Sequence, residues 1–258
     1  MREPAINNRT RDLDHNGRAT VGQYRAPSPR STCVKRGELH FLPGVLPTLC
    51  AAPTLRGMNT RSSGAVIPSV RQRILDAALE EFHTAGFHAA TMRTIAKRAG
   101  CSAANVYNHF ENKDELLVEI LRSASDEQFT ATRTALRKAG SAPAEQWTAA
   151  VVAHSLYTAR NQQACLVANT ELRYLDEVDR KRVVGSRDAQ EHLFVTIAEA
   201  GVAGGDFYVP HVHQAVTAVL TMCAGIALWY RPDGPLSAQA VADSYGVYAL
   251  NLVGYRPA

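Results

Sequence analysis

From Ser69 onward, apolar residues return every three to four positions along most of the chain, and no stretch alternates apolar with polar. VRQRILDAALEEFHTAGF places Ile74, Ala78 and Phe82 four apart with Leu75 and Leu79 alongside, which predicts an amphipathic helix ending at Gly86. Thr91 is placed to cap a short second helix through Arg98 whose inward residues are Ile95 and Ala99. Gly100 permits a sharp turn, and Ser102 caps a third helix predicted over Ala103–Phe110, with Val106 and Phe110 inward. Asn112 then caps a fourth helix, with Glu115 at capping-box spacing, running to about Lys138 and stopping at Gly140. Further helices are predicted from Pro143 through AEQWTAAVVAHSLYTARN, near Gln163–Leu175, over Asp176–Ala200, from Pro210 to Tyr230, and from Ser237 to about Val253. The breaks between the last three are GVAGGDFYVP and RPDGP. The expectation is an all-α chain. A three-helix, helix-turn-helix head (69–122) precedes a helical body (123–258).

The stretch before Ser69 follows other rules. Residues 1–57 hold six of the 12 prolines and show no helical period. Residues 1–68 are therefore expected to be a disordered arm, or upstream sequence ahead of a start at Met58. The arm also distorts the charge balance. Nine basic and four acidic residues lie in 1–57, which leaves 19 basic and 20 acidic for the rest, so the formal net charge of +4 is no argument for nucleic acid. Placement has to carry that argument.

The third predicted helix supplies the placement. With Val106 and Phe110 inward, Ala104, Asn105 and Asn108 turn outward, with Tyr107 and His109 on the flanks. An asparagine offers a donor and an acceptor together, which matches the major-groove edge of adenine, and Ala103 and Ala104 are small enough to approach a thymine methyl. Tyr107 and His109 suit phosphates, and Thr91, Arg93 and Ser102 stand at the two helix entrances. Lys113 is the anomaly. At the first position of a helix its charge is repelled by the macrodipole, and a phosphate beside it reverses that sign.

The run RILDAALEEFHTAGFHAATMRTIAKRAGCSAANVYNHFENKDELLVEIL strongly resembles the DNA-binding domain of the tetracycline-repressor (TetR) family of bacterial transcription regulators. The resemblance covers Arg73–Leu121 and includes Gly86, Phe87, Thr91, Ile95, Ala96, Gly100, Tyr107, Phe110, Lys113, Leu116 and Leu117. It implies that Ala103–His109 is the recognition helix and that Tyr107, His109 and Lys113 contact the DNA backbone. Asn108 and Cys101 depart from the commoner family residues, and Asn108 leaves the operator sequence open. The resemblance also implies a homodimer through the last two helices, about 210–230 and 237–253, whose sequences are apolar on more than one face.

In the body, with 11 basic and 13 acidic residues, no DNA face is expected. Phe129, Trp147, Leu156, Leu166, Phe194, Met222 and Trp229 are candidates to line an effector cavity between helices. ALWYRPDGPLSAQAVADSY is similar to a segment of family members that respond to fatty acyl-CoA or related lipid thioesters. Catalytic readings find no support: GVAGGDF lacks the lysine and Ser/Thr of a phosphate loop, and no Gly-x-Ser-x-Gly is present. His211 and His213 diverge on a helix, so no metal site or cofactor is expected. Five cysteines without a close pair argue for a reducing compartment, and no window approaches the roughly 18 apolar residues of a membrane helix, so a cytoplasmic protein is expected. The expected function is a non-enzymatic, ligand-released repressor acting on double-stranded operator DNA. Two alternatives stand beside it: a helical small-molecule-binding or catalytic protein whose helix-turn-helix only scaffolds, and a DNA-binding protein or co-regulator with a filled core and no ligand.

Overall fold

The computed structural model describes residues 68–256. The arm and the alternative start at Met58 lie outside them. Among the described residues every regular element is helical. The head comprises α1 (Val70–Ala85), α2 (Met92–Ala99) and α3 (Ala103–Tyr107), and α4 (Lys113–Leu136) leads out of it. The body adds α5 (Pro143–Arg160), α6 (Gln162–Thr170), α7 (Glu177–Gly204), α8 (Val212–Trp229) and α9 (Ala238–Leu252). A single 3-10 turn, Leu172–Tyr174, joins α6 to α7.

Caps explain why the helices begin where they do. Oxygens of Ser69, Thr91, Ser102, Asn112, Asp176 and Ser237 each accept the backbone N–H three residues on, satisfying a donor the helix leaves unpaired. At α4 the reciprocal half of the box is displaced by one residue: the Glu115 carboxylate accepts from the N–H of Glu111, not of Asn112. Gly100 ends α2 at φ 67°, the left-handed region that a side chain would strain. The third helix is shorter than its pattern predicts. It ends at Tyr107, and Asn108 and His109 close it with bonds to Ala104 O and Val106 O, yet Phe110 still turns inward.

Two main cores form. The first joins Ile74, Phe82, Ile95, Val106, Phe110 and Leu117 of the head to Val167, Ala168, Leu175 and Val183 of the body. The second packs Trp147, Phe194, Phe207, Val216, Cys223 and Ala249 among α5, α7, α8 and α9. Gly246 lets α9 cross α5 closely, since a Cβ there would lie 3.0 Å from Val152. One sequence expectation needs correction here. α8 is long and apolar enough, by length and composition, to cross a membrane. The small residues Ala, Thr and Gly hide this from a search for an unbroken apolar run. In this fold Val216, Val219, Cys223 and Ile226 of α8 are core, while Leu228 and Trp229 are exposed.

Candidate nucleic-acid interface and ligand cavity

The head is braced before it offers anything to a partner. Arg71 of α1 forms two 2.6 Å bonds with Glu119 of α4, and its guanidinium lies 4.8 Å from the Phe110 ring centroid. The Glu119 carboxyl is accordingly held below its ordinary range, chiefly by the bond from Arg71. Arg98 of α2 pairs with both Glu80 and Glu81 of α1. These bonds tie α1 to α4 and α2 to α1.

On that frame α2 and α3 present one polar face. Thr91, Arg93, Ser102, Ala104, Tyr107, Asn108 and His109 are exposed, Tyr107 by 57%, and Asn105 is half-buried. Arg93, Tyr107, Asn108 and His109 form no side-chain hydrogen bond or ion pair with any described residue, so their donors and acceptors are available. Thr91 and Ser102 use an oxygen lone pair as caps; Ser102 keeps its hydroxyl proton to donate, whereas the Thr91 hydroxyl donates to Thr94 Oγ1 at 3.3 Å. Ala103 lies differently from its expectation: it is half-buried and packs on the head core, which leaves Ala104 as the small exposed residue.

Lys113 is the main departure. Its Nζ donates to Phe87 O at 2.8 Å, Ala90 O at 3.2 Å and His88 O at 3.3 Å, and lies 4.4 Å from the Phe87 ring centroid. All three of its donors are occupied by the turn between α1 and α2. The unfavourable position at the head of α4 is therefore offset by carbonyls within the chain, and the geometry gives no free ammonium for a phosphate. Those acceptors lie 23 to 26 residues away, so no local pattern announces them. The same turn is held from the other side: Tyr174 stacks on Phe87 with centroids 6.0 Å apart and meets His88 edge-on at 4.2 Å.

A cavity of about 220 Å³ lies in the body among α4, α5, α6, α7 and α8. None of the seven residues proposed from the sequence lines it. Trp147 and Phe194 are fully buried core, Phe129, Leu156, Leu166 and Met222 are half-buried elsewhere, and Trp229 is 47% exposed against Tyr245. Large side chains fill space, and the space is left by smaller and polar ones. The wall includes Gln128, His154, Thr158, Arg187 and Gln190. Gln190 Nε2 bonds Thr132 Oγ1 at 2.9 Å and lies 3.1 Å from His154 Nδ1, while Gln128 donates to Thr158 Oγ1 at 3.1 Å. Burial, then the charge of Arg187, lowers the His154 pKa to about 4, so the imidazole is neutral near pH 7.

Known proteins share this fold. Residues 74–120 match the family model for bacterial regulatory proteins of the tetR family, and residues 140–253 match that for the tetracyclin repressor-like C-terminal domain. PfmR from Thermus thermophilus, a solved TetR family transcriptional regulator, is 31% identical; the alignment covers 69% of this chain and 97% of that one, at TM-score 0.64. The protein belongs to the TetR family. The regulator is also 28% identical to the HTH-type transcriptional repressor KstR2 of Mycolicibacterium smegmatis, over 69% of its own length and 87% of that protein's. AibR, solved in complex with isovaleryl coenzyme A and operator DNA, shares the regulator's fold at TM-score 0.64 and 19% identity, across 70% of this chain and 97% of that one.

Proposed function

We propose that the regulator is a homodimeric repressor that leaves its operator when a small molecule, of the acyl-CoA thioester class, occupies the body cavity. One observation carries the release mechanism: α4 belongs to both sites. Its first two turns are bolted to the head through Lys113 and Glu119, and its fourth and fifth supply Ala124, Ser125 and Gln128 to the cavity wall. A ligand that fits only when α4 tilts moves the reading heads, which in a dimer must stand about one DNA turn apart, roughly 34–36 Å.

The exposed face of α2 and α3 supports the division of contacts. Asn105, Asn108 and Ala104 read bases, and Arg93, Thr91, Ser102, Tyr107 and His109 hold phosphates. Dimerisation through α8 and α9 is supported by their exposed Leu228, Trp229, Val247, Tyr248 and Leu252, an apolar face that a second copy would cover. The acyl-CoA class is supported by the segment from Ala227 to Tyr245 and by the ligand named for AibR. A repressor role follows the likeness to KstR2, and a cytoplasmic location follows from acting on DNA.

Linkage gives the test. If ligand weakens operator binding, operator must weaken ligand binding by the same factor, typically about 5–150-fold. Titration of short-chain acyl-CoA thioesters with and without operator duplex measures both. A thioester that binds tightly, with an affinity that operator leaves unchanged, would falsify induced release for that ligand.

A further inference from the structure

Arg187 pairs with no carboxylate among the described residues. It projects from α7 into the cavity wall, half-buried, and desolvation lowers the pKa of its guanidinium from the ordinary value. Its partners are neutral: Nη2 donates to Ala168 O at 2.8 Å and to Asn169 Oδ1 at 3.4 Å. No ion pair among the described residues includes it. Glu191 shares the cavity wall but is exposed and unpaired with it, and Ser186 turns its hydroxyl to Asp126. The cavity-lining groups on the other helices are uncharged. His154 is neutral, burial pushes the Cys165 thiol up to about 11, and Gln128, Thr158 and Gln190 carry no charge. Gln190 adds a second deficit, because its buried Oε1 has no hydrogen-bond partner. A charge held in a cavity wall without an opposite charge is a cost that an incoming anion offsets.

We infer that the cavity binds its ligand through an anionic oxygen, carboxylate or phosphoryl, that pairs with Arg187. The inference rests on the effector reading above and narrows its chemistry. Size limits the source. At roughly 30 Å³ per water-sized group, a volume of about 220 Å³ holds on the order of seven such groups. A short free acid fits whole, whereas a CoA thioester leaves most of its nucleotide outside and offers its phosphoryl groups to Arg187. Only Nη2 is committed, to Ala168 O and Asn169 Oδ1, so Nε–H and Nη1–H remain for either anion. Ala168 lies in the last turn of α6, two residues before its end and six before the Tyr174 that packs on Phe87 and His88.

Calorimetric titration of the full chain, as wild type, Arg187→Gln and Arg187→Lys, tests this with hexanoate, benzoate, hexanoyl-CoA and the uncharged hexanoyl-pantetheine. At least one anion should bind wild type, and Arg187→Gln should weaken it about tenfold or more, with Arg187→Lys between them. Hexanoyl-pantetheine should bind wild type no better than it binds Arg187→Gln. Preference for hexanoate or benzoate over hexanoyl-CoA identifies a free acid, and the reverse a thioester. The inference is overturned if no anion binds, if Arg187→Gln retains the affinity of wild type, or if the uncharged thioester binds wild type as tightly as the best anion. Operator binding by the same preparations is read separately. Retention by Arg187→Gln shows an intact fold, and failure of wild type to bind any duplex sinks the regulator reading whatever Arg187 holds.

Discussion

Substituting Lys113 by methionine keeps the aliphatic stem and removes the ammonium. Two of the three carbonyls it serves, Phe87 O and Ala90 O, are in part-buried bonds, and the third, His88 O, is in an exposed one. A charged donor to a shielded carbonyl contributes about 1 kcal/mol net when the donor itself is half-exposed, so the two shielded bonds contribute about 2 kcal/mol. The ammonium over the Phe87 ring adds about 0.5–1 kcal/mol, and relief of the helix dipole returns a few tenths. The expected loss is about 2–3 kcal/mol of unfolding free energy, read from the urea midpoint at constant m-value. Operator affinity under native conditions should keep its salt slope, because no phosphate contact is removed. The opposite pair of results, unchanged stability and a salt slope reduced by about one, would show that the ammonium leaves its carbonyls for the DNA backbone and would refute the strut.

Other substitutions separate the remaining roles. Asn108→Ala should weaken binding to the true operator by about 1–3 kcal/mol while leaving random duplex unaffected, as measured by competition titration. His154 has a folded pKa of about 4, below the ordinary 6.5, so the unfolded chain takes its proton first. Its contribution is full above about pH 6.5, falls as pH drops towards 4, and amounts to about 3 kcal/mol at most; the pH profile of unfolding free energy should lose that slope in His154→Gln. Leu228→Glu, at a side chain 78% exposed, should leave the monomer folded but shift sedimentation from dimer to monomer and reduce operator affinity. Unchanged dimer mass would remove α8 from the interface.

Much of the helical plan is legible because its signals are local. Ser69, Thr91, Ser102, Asn112 and Ser237 each announce a cap within three residues, and Pro143 fits the first turn of α5 as its missing N–H demands. Val106 and Phe110 are inward as their spacing requires. What escapes the sequence depends on distant partners. The bonds of Lys113, the stacking of Tyr174 on Phe87 and the solitary charge of Arg187 are set by elements tens of residues apart. The cavity escaped for a related reason: aromatic size marks residues that fill a core, and Trp147 and Phe194 do so, whereas an unfilled volume is bounded by residues chosen for smallness or polarity on five different helices.

The unbroken apolar cluster from Ile74 to Val183 bears on how such regulators can be recombined. A chain cut after residue 122 would strip Leu117, Ile120 and Leu121 of cluster partners such as Val167, Leu175 and Val183. This reading head is therefore not a detachable module. Grafted onto a foreign body, it would remain cooperative only if the donor segment from α6 through the first turns of α7 travelled with it, carrying Tyr174. A chimera joined at the middle of α4 alone should melt in two steps, with the head going first.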